Sequence, residues 1–256
     1  HYVSNGIYKV PMLIRLIVGR GWGQGPQHAQ SLESMFALVP GLKVIMPVTA
    51  HDAKGMTIAA IKDDNPVISI EHRWLHNTNG HVPEDAYHVP LGVSKLAREG
   101  SDITIVATSY MVLESLLAAE ALAEVGIEVN LIDLRTLRPL DLDPVCESVT
   151  RTGRLLTIDT GSRFLGMGAE IVAEVIERQL HSLVAPPVRL GLPDHPAPSA
   201  RALIPNFYPQ PEQILHAALK LCGASEERQK QAYAALTNRT ADRLIDVPDA
   251  SFTGPF

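Results

Sequence analysis

Short apolar runs alternate with helix-length amphipathic stretches along the first part of the chain. The runs PMLIRLIV (11–18), KVIMP (43–47) and PVISIE (66–71) are nearly continuous and rich in β-branched residues. Such runs are typical of strands that are covered on both faces. Helix signals lie between them, and the resulting order of strand, helix, strand, helix and strand predicts a parallel sheet.

Two helices are predicted between these three strands. The first begins near Pro26, whose fixed φ suits a first helical turn, and ends at Pro40. Its apolar side consists of Ala29, Leu32, Met35, Phe36 and Val39. The second begins with Thr49 and Asp52 at the spacing of a capping box and ends within residues 63–66.

A second α/β unit follows residues 72–100, which lack periodicity and are predicted to cross between two domains. Its predicted strands are 103–109, 128–136, 155–160 and 187–193, and its predicted helices are 111–126, 143–153, 168–180 and 211–223. Gly126 and Gly153 lie where a glycine commonly ends a helix. Residues 224–256 are expected to be partly helical and then loop-like, as an arm on a neighbouring subunit or a mobile tail.

Length and charge restrict the classes of function. The 256 residues, 46% of them apolar, suffice for one large or two ordinary domains. The 22 basic and 28 acidic residues give a net charge of −6, so neither nucleic acid nor a membrane surface is an expected partner. Cys146 and Cys222 lack metal or redox spacing and are expected to be buried thiols. We therefore expect a soluble protein of a reducing compartment, cytoplasmic or, in a eukaryote, of the mitochondrial matrix.

The glycine-rich stretch GRGWGQGPQHAQS (19–31) follows the first predicted strand. It matches neither G-x-G-x-x-G nor the Walker pattern, and His28 lies where the third fingerprint glycine would be. This pattern favours a loop that presents His28 in the first turn of a helix. The positive end of the helix dipole disfavours imidazolium, so His28 is expected to be mostly neutral and able to exchange a proton. The alternative, that His28 only caps or packs, stays open on spacing alone.

Longer blocks of sequence resemble a known family. They are WGQGPQHAQSLESMFALVPGLKVIMP (22–47), HDAKGM (51–56), AAIKDDNPV (59–67), PLGVSK (90–95), IDLRTLRPLD (132–141), TGRLL (152–156), GMGAEI (166–171) and PPVRLGLPDHPAP (186–198). In this order they resemble the beta subunit of the thiamine-diphosphate-dependent 2-oxo acid dehydrogenases of the pyruvate, branched-chain and acetoin types, within the transketolase-like superfamily. The resemblance covers residues 2 to about 222.

The resemblance implies an α/β fold with a partial pyrimidine-type parallel-sheet domain followed by a transketolase C-terminal α/β domain. The expected divisions are 1–88, the C-terminal half of a pyrimidine-binding domain, then 89–223, and an arm or tail over 224–256. The implied function is that of a beta-type subunit in oxidative decarboxylation of a 2-oxo acid, with acyl transfer to a lipoyl group. An α2β2-like heterotetramer is expected.

The resemblance also carries site residues and cofactors. His28 matches the active-site histidine near the reacting thiazolium, where it handles protons or the incoming lipoyl group. Ala60, Asp63 and Asn65 match positions whose backbone carbonyls hold potassium in some members, although these residues equally suit an ordinary helix stop. Thiamine diphosphate with magnesium is expected to be held mainly by a partner alpha subunit. A second copy of this chain and a lipoyl acyltransferase are the further expected partners.

The sequence departs from the family at both ends. The family's glutamate that activates the aminopyrimidine is expected upstream of His1, so no cofactor-binding residue is assigned here. The chain alone is therefore expected to be inactive. Roughly thirty residues beyond the last family-like helix put the contact with the acyltransferase core in doubt. A non-catalytic assembly or regulatory subunit is the alternative function.

Two further features have competing interpretations. His72, His76, His81 and His88 form a loose cluster that could bind a transition metal, but the Asn, Gly and Pro residues among them disfavour a continuous helix. The segment GSRFLGMGAEI (161–171) follows a predicted strand and could bind an anion at a helix N-terminus. Close packing of helix on sheet is favoured for this segment, because the family's C-terminal domain does not hold the diphosphate.

Overall fold

Two mixed β-sheets with helices around them organise the chain. The computed structural model describes residues 1, 3–20, 23–244 and 247. The strands are β1 (Leu13–Val18), β2 (Lys43–Ile45), β3 (Val67–His72), β4 (Lys95–Arg98), β5 (Ile103–Ala107), β6 (Val129–Asp133), β7 (Thr136–Arg138), β8 (Leu155–Ser162) and β9 (Val188–Leu192). The helices are α1 (Gly25–His28), α2 (Glu33–Ala37), α3 (Ala50–Ile61), α4 (Tyr110–Ala123), α5 (Asp143–Thr152), α6 (Met167–Gln179), α7 (Pro211–Leu221) and α8 (Glu226–Thr240).

The first sheet has the order β1-β3-β2-β7. Strands β1, β3 and β2 are parallel, as the sequence predicts, with Leu13 and Lys43 both opposite Val67. The prediction of an entirely parallel sheet is wrong, because β7 joins β2 in antiparallel orientation. Arg135, in the left-handed region with φ +54°, lies between β6 and β7, where the chain leaves the second sheet. Strand β7 therefore follows a strand of the second sheet in sequence but pairs in the first sheet, and so connects the two domains. The hydrophobic pattern of the sequence did not predict this.

The first predicted helix is broken into α1 and α2. Ala29 packs in an apolar cluster with Leu192 and Phe207 of the second domain, whereas Glu33 contacts Thr160. The residues between these two anchors leave helical geometry, with Leu32 at φ −113° and ψ 22°. As a result Leu32 and Met35, which were predicted to lie on a common apolar side, are exposed in this chain.

The second predicted helix is confirmed as α3. The Thr49 hydroxyl accepts a hydrogen bond from the Asp52 backbone N–H at 3.1 Å, which satisfies one of the free donors of the first turn. The helix ends at Ile61, next to the Asp-Asp-Asn-Pro stop. Met56 and Ala60 are fully buried and pack with Ile45 and Val67 of the first sheet.

The second sheet has the order β4-β6-β5-β8-β9. Strands β6, β5, β8 and β9 are parallel, whereas β4 is antiparallel to β6. Strand β4 lies within residues 72–100, where the sequence predicts only a crossing segment. Gly153 ends α5 at φ +68°, which confirms its predicted role, and Gly126 lies just after α4 at φ +70°.

Helix α8 packs against α4 and α7 of its own chain. Ala232, Ala235 and Leu236 are buried in the main core of the second domain. The predicted helical character of residues 224–256 is therefore confirmed for 226–240. The apolar side of this helix is used within its own chain, and the expected arm on a neighbouring subunit stays a prediction. Residues 245–246 and 248–256 lie outside the described part.

The two cysteines are free, as predicted. Cys146 is buried in α5 and Cys222 is partly buried after α7. Burial raises the pKa of both thiols, which disfavours the reactive thiolate. Among the described residues, no helix is both long and apolar enough to cross a membrane.

Candidate functional site

The conformation of the glycine-rich loop depends on close contacts with other parts of the chain. Gly19, Gly23 and Gly25 have φ of +114°, +67° and +58°, a region that other residues rarely adopt. A Cβ on Gly19 would lie 2.7 Å from Nε2 of His72, and one on Gly23 would lie 2.9 Å from the Ser199 carbonyl. Glycine is required here for backbone conformation and for close approach to the second domain.

His28 is the last residue of α1, and its side chain is exposed. Its backbone is held on two sides. Nη2 of Arg73 donates to the His28 carbonyl at 2.6 Å, and the same guanidinium donates to the Gln24 side chain. The next residue, Ala29, is buried in the second domain. The imidazole therefore projects from a fixed backbone at the seam between the domains.

The predicted dipole effect on His28 lacks its physical basis. Helix α1 has only four residues, so His28 lies in its last turn as well as its first. A single turn sums few peptide dipoles, and His28 is the residue at its carbonyl end. The placement of His28 in a first helical turn is confirmed, but the electrostatic argument built on it is wrong.

A cavity of about 550 Å³ opens beside this seam. Leu192, Phe207 and Tyr208 line it, and the same three residues form the apolar cluster that buries Ala29. Ala29 thus packs on residues that also line the cavity, whereas the described lining residues all belong to the second domain and do not include His28.

Arg20 and three aromatic rings support the start of the loop. The Arg20 guanidinium lies 4.4 Å from the ring centroid of Trp74, 5.0 Å from that of Tyr208 and 5.9 Å from that of Tyr110. These distances are within the range of cation–π attraction. The cluster joins the first domain, which contributes Arg20 and Trp74, to the second, which contributes the tyrosines.

The histidines of the crossing segment do not form a metal site. His72 is fully buried and accepts a hydrogen bond from the Trp74 backbone N–H at Nδ1. Burial, followed by the charge of Arg20, holds the pKa of His72 well below its usual value, so the ring is neutral with its proton on Nε2. His76 instead lies 3.3 Å from Glu71. Within the described ranges, no group of three or more His, Cys, Asp or Glu could hold a metal ion.

Two buried carboxyls, which the sequence analysis missed, join α2 to the second domain. Glu33 accepts a hydrogen bond from the Thr160 hydroxyl at 3.0 Å, while its other oxygen, Oε2, has no hydrogen-bond partner. Burial raises the pKa of Glu33. Burial and the neighbouring Glu33 also raise the pKa of Asp159 to about 7. The visible signal was an aspartate inside the buried strand segment LLTIDT, just before a glycine-rich turn.

The glycines of residues 161–171 serve close packing, as predicted. A Cβ on Gly168 would lie 2.5 Å from Oγ1 of Thr157 and 2.9 Å from Oδ2 of Asp159. The Gly168 N–H donates to Asp159 at 2.9 Å. The N-terminus of α6 therefore already receives the chain's own carboxyl, and the alternative of an external anion at this place is wrong.

Another buried junction between the domains consists of Asp52 and the cations that surround it. Nη1 of Arg135 lies 3.3 Å from Oδ1 of Asp52, and Nζ of Lys95 lies 3.2 Å from Oδ2. Burial alone would raise the pKa of Asp52, but Lys95, His51 and Arg135 hold it below its usual value. Asp133 accepts from the Arg135 backbone N–H at 3.1 Å. Its pKa is raised to about 7, chiefly by burial.

The residues predicted to hold potassium lie at the end of α3. The Ala60 carbonyl accepts backbone hydrogen bonds from Lys62 and Asp63. Oδ1 of Asp63 accepts from the backbone and the side chain of Asn65, and Oδ2 pairs with Lys43. The turn thus has its own hydrogen bonds and an ammonium group, and potassium binding here stays a prediction.

Comparisons with known proteins cover most of the chain. Residues 1–78 match the pyrimidine-binding domain of transketolase, and residues 92–214 match its C-terminal domain. The predicted division at 88 and 89 lies between these two matches and stays a prediction.

Three relatives are similar in sequence over most of this chain. The beta subunit of acetoin:2,6-dichlorophenolindophenol oxidoreductase of Cupriavidus necator is 41% identical over 219 residues, covering 86% of this chain and 65% of that protein. The pyruvate dehydrogenase E1 component subunit beta of Bacillus subtilis is 39% identical, with 86% and 68% covered. The mitochondrial beta-1 subunit of the same component in Arabidopsis thaliana is 40% identical, with 88% and 63% covered. The chain spans about two thirds of the length of these relatives.

Solved structures show the same fold. A split-gene transketolase described as an inactive beta4 tetramer superposes with a TM-score of 0.68 at 23% identity, covering 84% of this chain and 67% of that one. Transketolase from Leishmania mexicana superposes with a TM-score of 0.57 at 18% identity, covering 81% and 30%. At these identities the likeness concerns the fold alone.

Proposed function

Since this chain belongs to the transketolase-like beta subunits of the thiamine-diphosphate-dependent pyruvate and acetoin dehydrogenases, we propose that it supplies one side of their active site. The reaction is the oxidative cleavage of a 2-oxo acid or of acetoin, followed by acyl transfer to a lipoyl group. The observation that carries this proposal is the exposed His28 imidazole, whose backbone is held at the domain seam by Arg73 and by the burial of the neighbouring Ala29.

His28 is the residue to which we assign acid–base work. An imidazole can both donate and accept a proton, so an exposed histidine can serve as acid and base within one cycle. Arg73 and the burial of Ala29 fix the backbone on either side of its ring, so little freedom remains to be lost on binding.

Thiamine diphosphate, when bound, supplies the nucleophile and the electron sink for cleavage. This chain offers no carboxyl of the loop to activate it, since Glu33, the acid nearest to His28 in sequence, is buried against Thr160. We therefore assign the magnesium and diphosphate to a partner alpha subunit. In this proposal the chain alone is inactive.

The test combines the product of the complete coding sequence with an alpha subunit, thiamine diphosphate and magnesium. Cleavage of pyruvate and of acetoin is then followed in parallel with an artificial electron acceptor. We expect His28→Ala to lower turnover by about 10²- to 10⁴-fold, the usual contribution of an acid–base group. His81→Ala, which removes another exposed histidine, is the matched control. Equal activities of wild type and His28→Ala would remove His28 from the mechanism.

A non-catalytic assembly subunit is the second candidate function. It is favoured by helix α8, which lies beyond the last residue of the matched family domain. Mass measurement with and without the alpha chain distinguishes the two. A self-associated form that ignores the alpha chain supports assembly, whereas a mixed tetramer supports the enzyme. Addition of a lipoyl acyltransferase then tests whether α8 permits that contact.

The potassium proposal concerns the carbonyl of Ala60 and the turn at Asp63 and Asn65. If potassium binds there, the melting temperature rises in potassium chloride but not in sodium chloride at equal ionic strength. Equal melting temperatures leave the turn as an ordinary helix stop.

A further inference from the structure

Helix α8 lies beyond residue 214, where the transketolase C-terminal domain match ends. Three arginines tie this segment to the second domain. Arg228 donates to the carbonyls of Val125 and Gly126, and Arg239 pairs with Glu120 and Glu124. The third, Arg243, follows the helix and makes a different kind of contact.

Arg243 reaches a buried acid. Its Nη2 lies 2.5 Å from Oε1 of Glu114 and its Nη1 lies 3.2 Å from Oε2, so the pair is bidentate. The Glu114 side chain is only 1% exposed, whereas those of Glu120 and Glu124, the partners of Arg239, are 47% and 51% exposed. Removal of Arg243 would therefore leave a buried carboxylate without its cation, whereas removal of Arg239 would not.

The contact continues from Glu114 to the aromatic cluster. Nη2 of Arg243 lies 3.4 Å from the Tyr110 hydroxyl. Burial, together with Glu114, raises the pKa of Tyr110 to about 12, so the phenol keeps its proton. The Tyr110 ring stacks on His72 with centroids 4.9 Å apart and planes 16° apart, and it meets Trp74 edge-on at 5.2 Å.

His72 and Trp74 in turn form the surface on which the loop begins. Nε2 of His72 lies where a side chain on Gly19 would be, and Arg20 lies over Trp74. Arg73, between these two rings in sequence, holds the carbonyl of His28. An unbroken series of contacts thus connects α8 to the backbone of the loop that presents His28.

We propose that Arg243 is a positioning residue. Through successive contacts with Glu114, Tyr110 and His72, it supports the loop that carries His28. Arg243 and α8 both lie outside the matched family domain. In this proposal the geometry of the His28 loop therefore depends on a segment beyond that domain. The effect on catalysis rests on the function proposed for His28, but the effect on loop order does not.

Hydrogen–deuterium exchange of the full chain tests the positioning directly. In Arg243→Gln we expect amides of residues 23–33 to exchange about tenfold faster, because local opening of a loop costs less when its support is loosened. Arg239→Gln, in the last turn of α8 and one turn before Arg243, should leave these amides within about twofold of wild type. Arg243→Lys keeps the charge and loses the bidentate geometry, so its exchange rates over residues 23–33 should lie between those of the two glutamine variants. It also provides the test if Arg243→Gln does not fold.

Faster exchange confined to residues 110–123 and 226–240, or spread evenly over the chain, would overturn the proposal and leave Arg243 with a purely structural role. Turnover of the complex with the alpha chain is measured in parallel. Loop loosening without any enzymatic activity in wild type or variants would count against the proposed function and leave the positioning role intact.

Discussion

The two buried acid junctions between the domains differ in how their charge is neutralised. At the first, Asp52 is paired with Arg135 and Lys95. At the second, Glu33 and Asp159 meet only a hydroxyl and backbone amides. Both sites remove carboxyls from water, which is costly unless the charge is paired or lost.

The pKa values follow this difference. Cations keep the pKa of Asp52 below its usual value although it is buried. At the second junction burial raises the pKa of both Glu33 and Asp159, the latter to about 7, and the charge of Arg189 opposes this at Asp159 only as the smallest of the causes. Ion pairs with Arg135 and Lys95 therefore hold the first junction together, whereas at the second junction burial favours the protonated forms of the two acids. Four experiments separate the two modes.

The largest effect is expected for Arg135→Met. This change leaves Asp52 with Lys95 and His51 and removes the guanidinium that also donates to the Val93 carbonyl. Breaking a buried pair on one side costs about 3–5 kcal/mol of unfolding free energy. Urea denaturation measures it, with Arg178→Met as the control, because the pairs of Arg178 are on the surface. Equal losses in both variants would show that the first junction is no stronger than a surface pair.

The next largest effect is a dependence of the unfolding free energy on pH, which arises from Asp159. Its folded pKa of about 7 exceeds the ordinary 3.8, so the folded chain holds a proton that the unfolded chain releases between these values. The stability that this carboxyl contributes is fully present below pH 3.8 and is lost as the pH rises through 7. Each pH unit in this window corresponds to about 1.36 kcal/mol, so the full change is on the order of 4 kcal/mol.

Asp159→Asn removes the titration and keeps an acceptor for the Gly168 N–H. Between pH 4.5 and 8, the unfolding free energy of wild type should therefore fall relative to that of the variant. The comparison cancels the opposite contributions of Asp52 and the other acids with lowered pKa. Parallel pH profiles would mean that Asp159 is ionised throughout.

A smaller effect is expected from Gly168→Ala. The added Cβ would lie 2.5 Å from Thr157 Oγ1 and 2.9 Å from Asp159 Oδ2, which forces α6 away from β8. Overpacking of this kind costs about 1–3 kcal/mol. Gly80→Ala is the control, since its nearest neighbour would be 3.8 Å away. A change in melting temperature no larger than that of the control would show that the second junction is loosely packed.

The smallest effect is expected for Glu33→Gln at pH 8. Glutamine keeps an acceptor for Thr160 and removes a carboxyl that has no cation, so stability should change by no more than about 1 kcal/mol. Asp52→Asn is the opposite case, because Lys95 and Arg135 then lose their partner, and it should destabilise more. If Glu33→Gln is the more harmful of the two, the contrast between the junctions is wrong.

Sequence patterns predicted the order of strands and helices but not where their ends would pack. Helix α3 follows from Thr49 and the Asp-Asn-Pro stop, which act through their own backbone neighbours. The break between α1 and α2 does not follow, because it depends on Ala29 and Glu33 finding partners more than a hundred residues away. The same holds for β7, which is too short to show a period.

His28 could be selected from the sequence because a glycine-rich loop and an initiating proline are local signals. The sequence by itself therefore determined the α/β alternation, the loop that carries His28 and the family. Only the tertiary structure decided which acids are buried, which of them meet a cation, and how α8 reaches the loop. The reason is physical: helix and turn preferences act over a few residues, whereas desolvation and pairing of charge depend on what the fold brings from elsewhere in the chain.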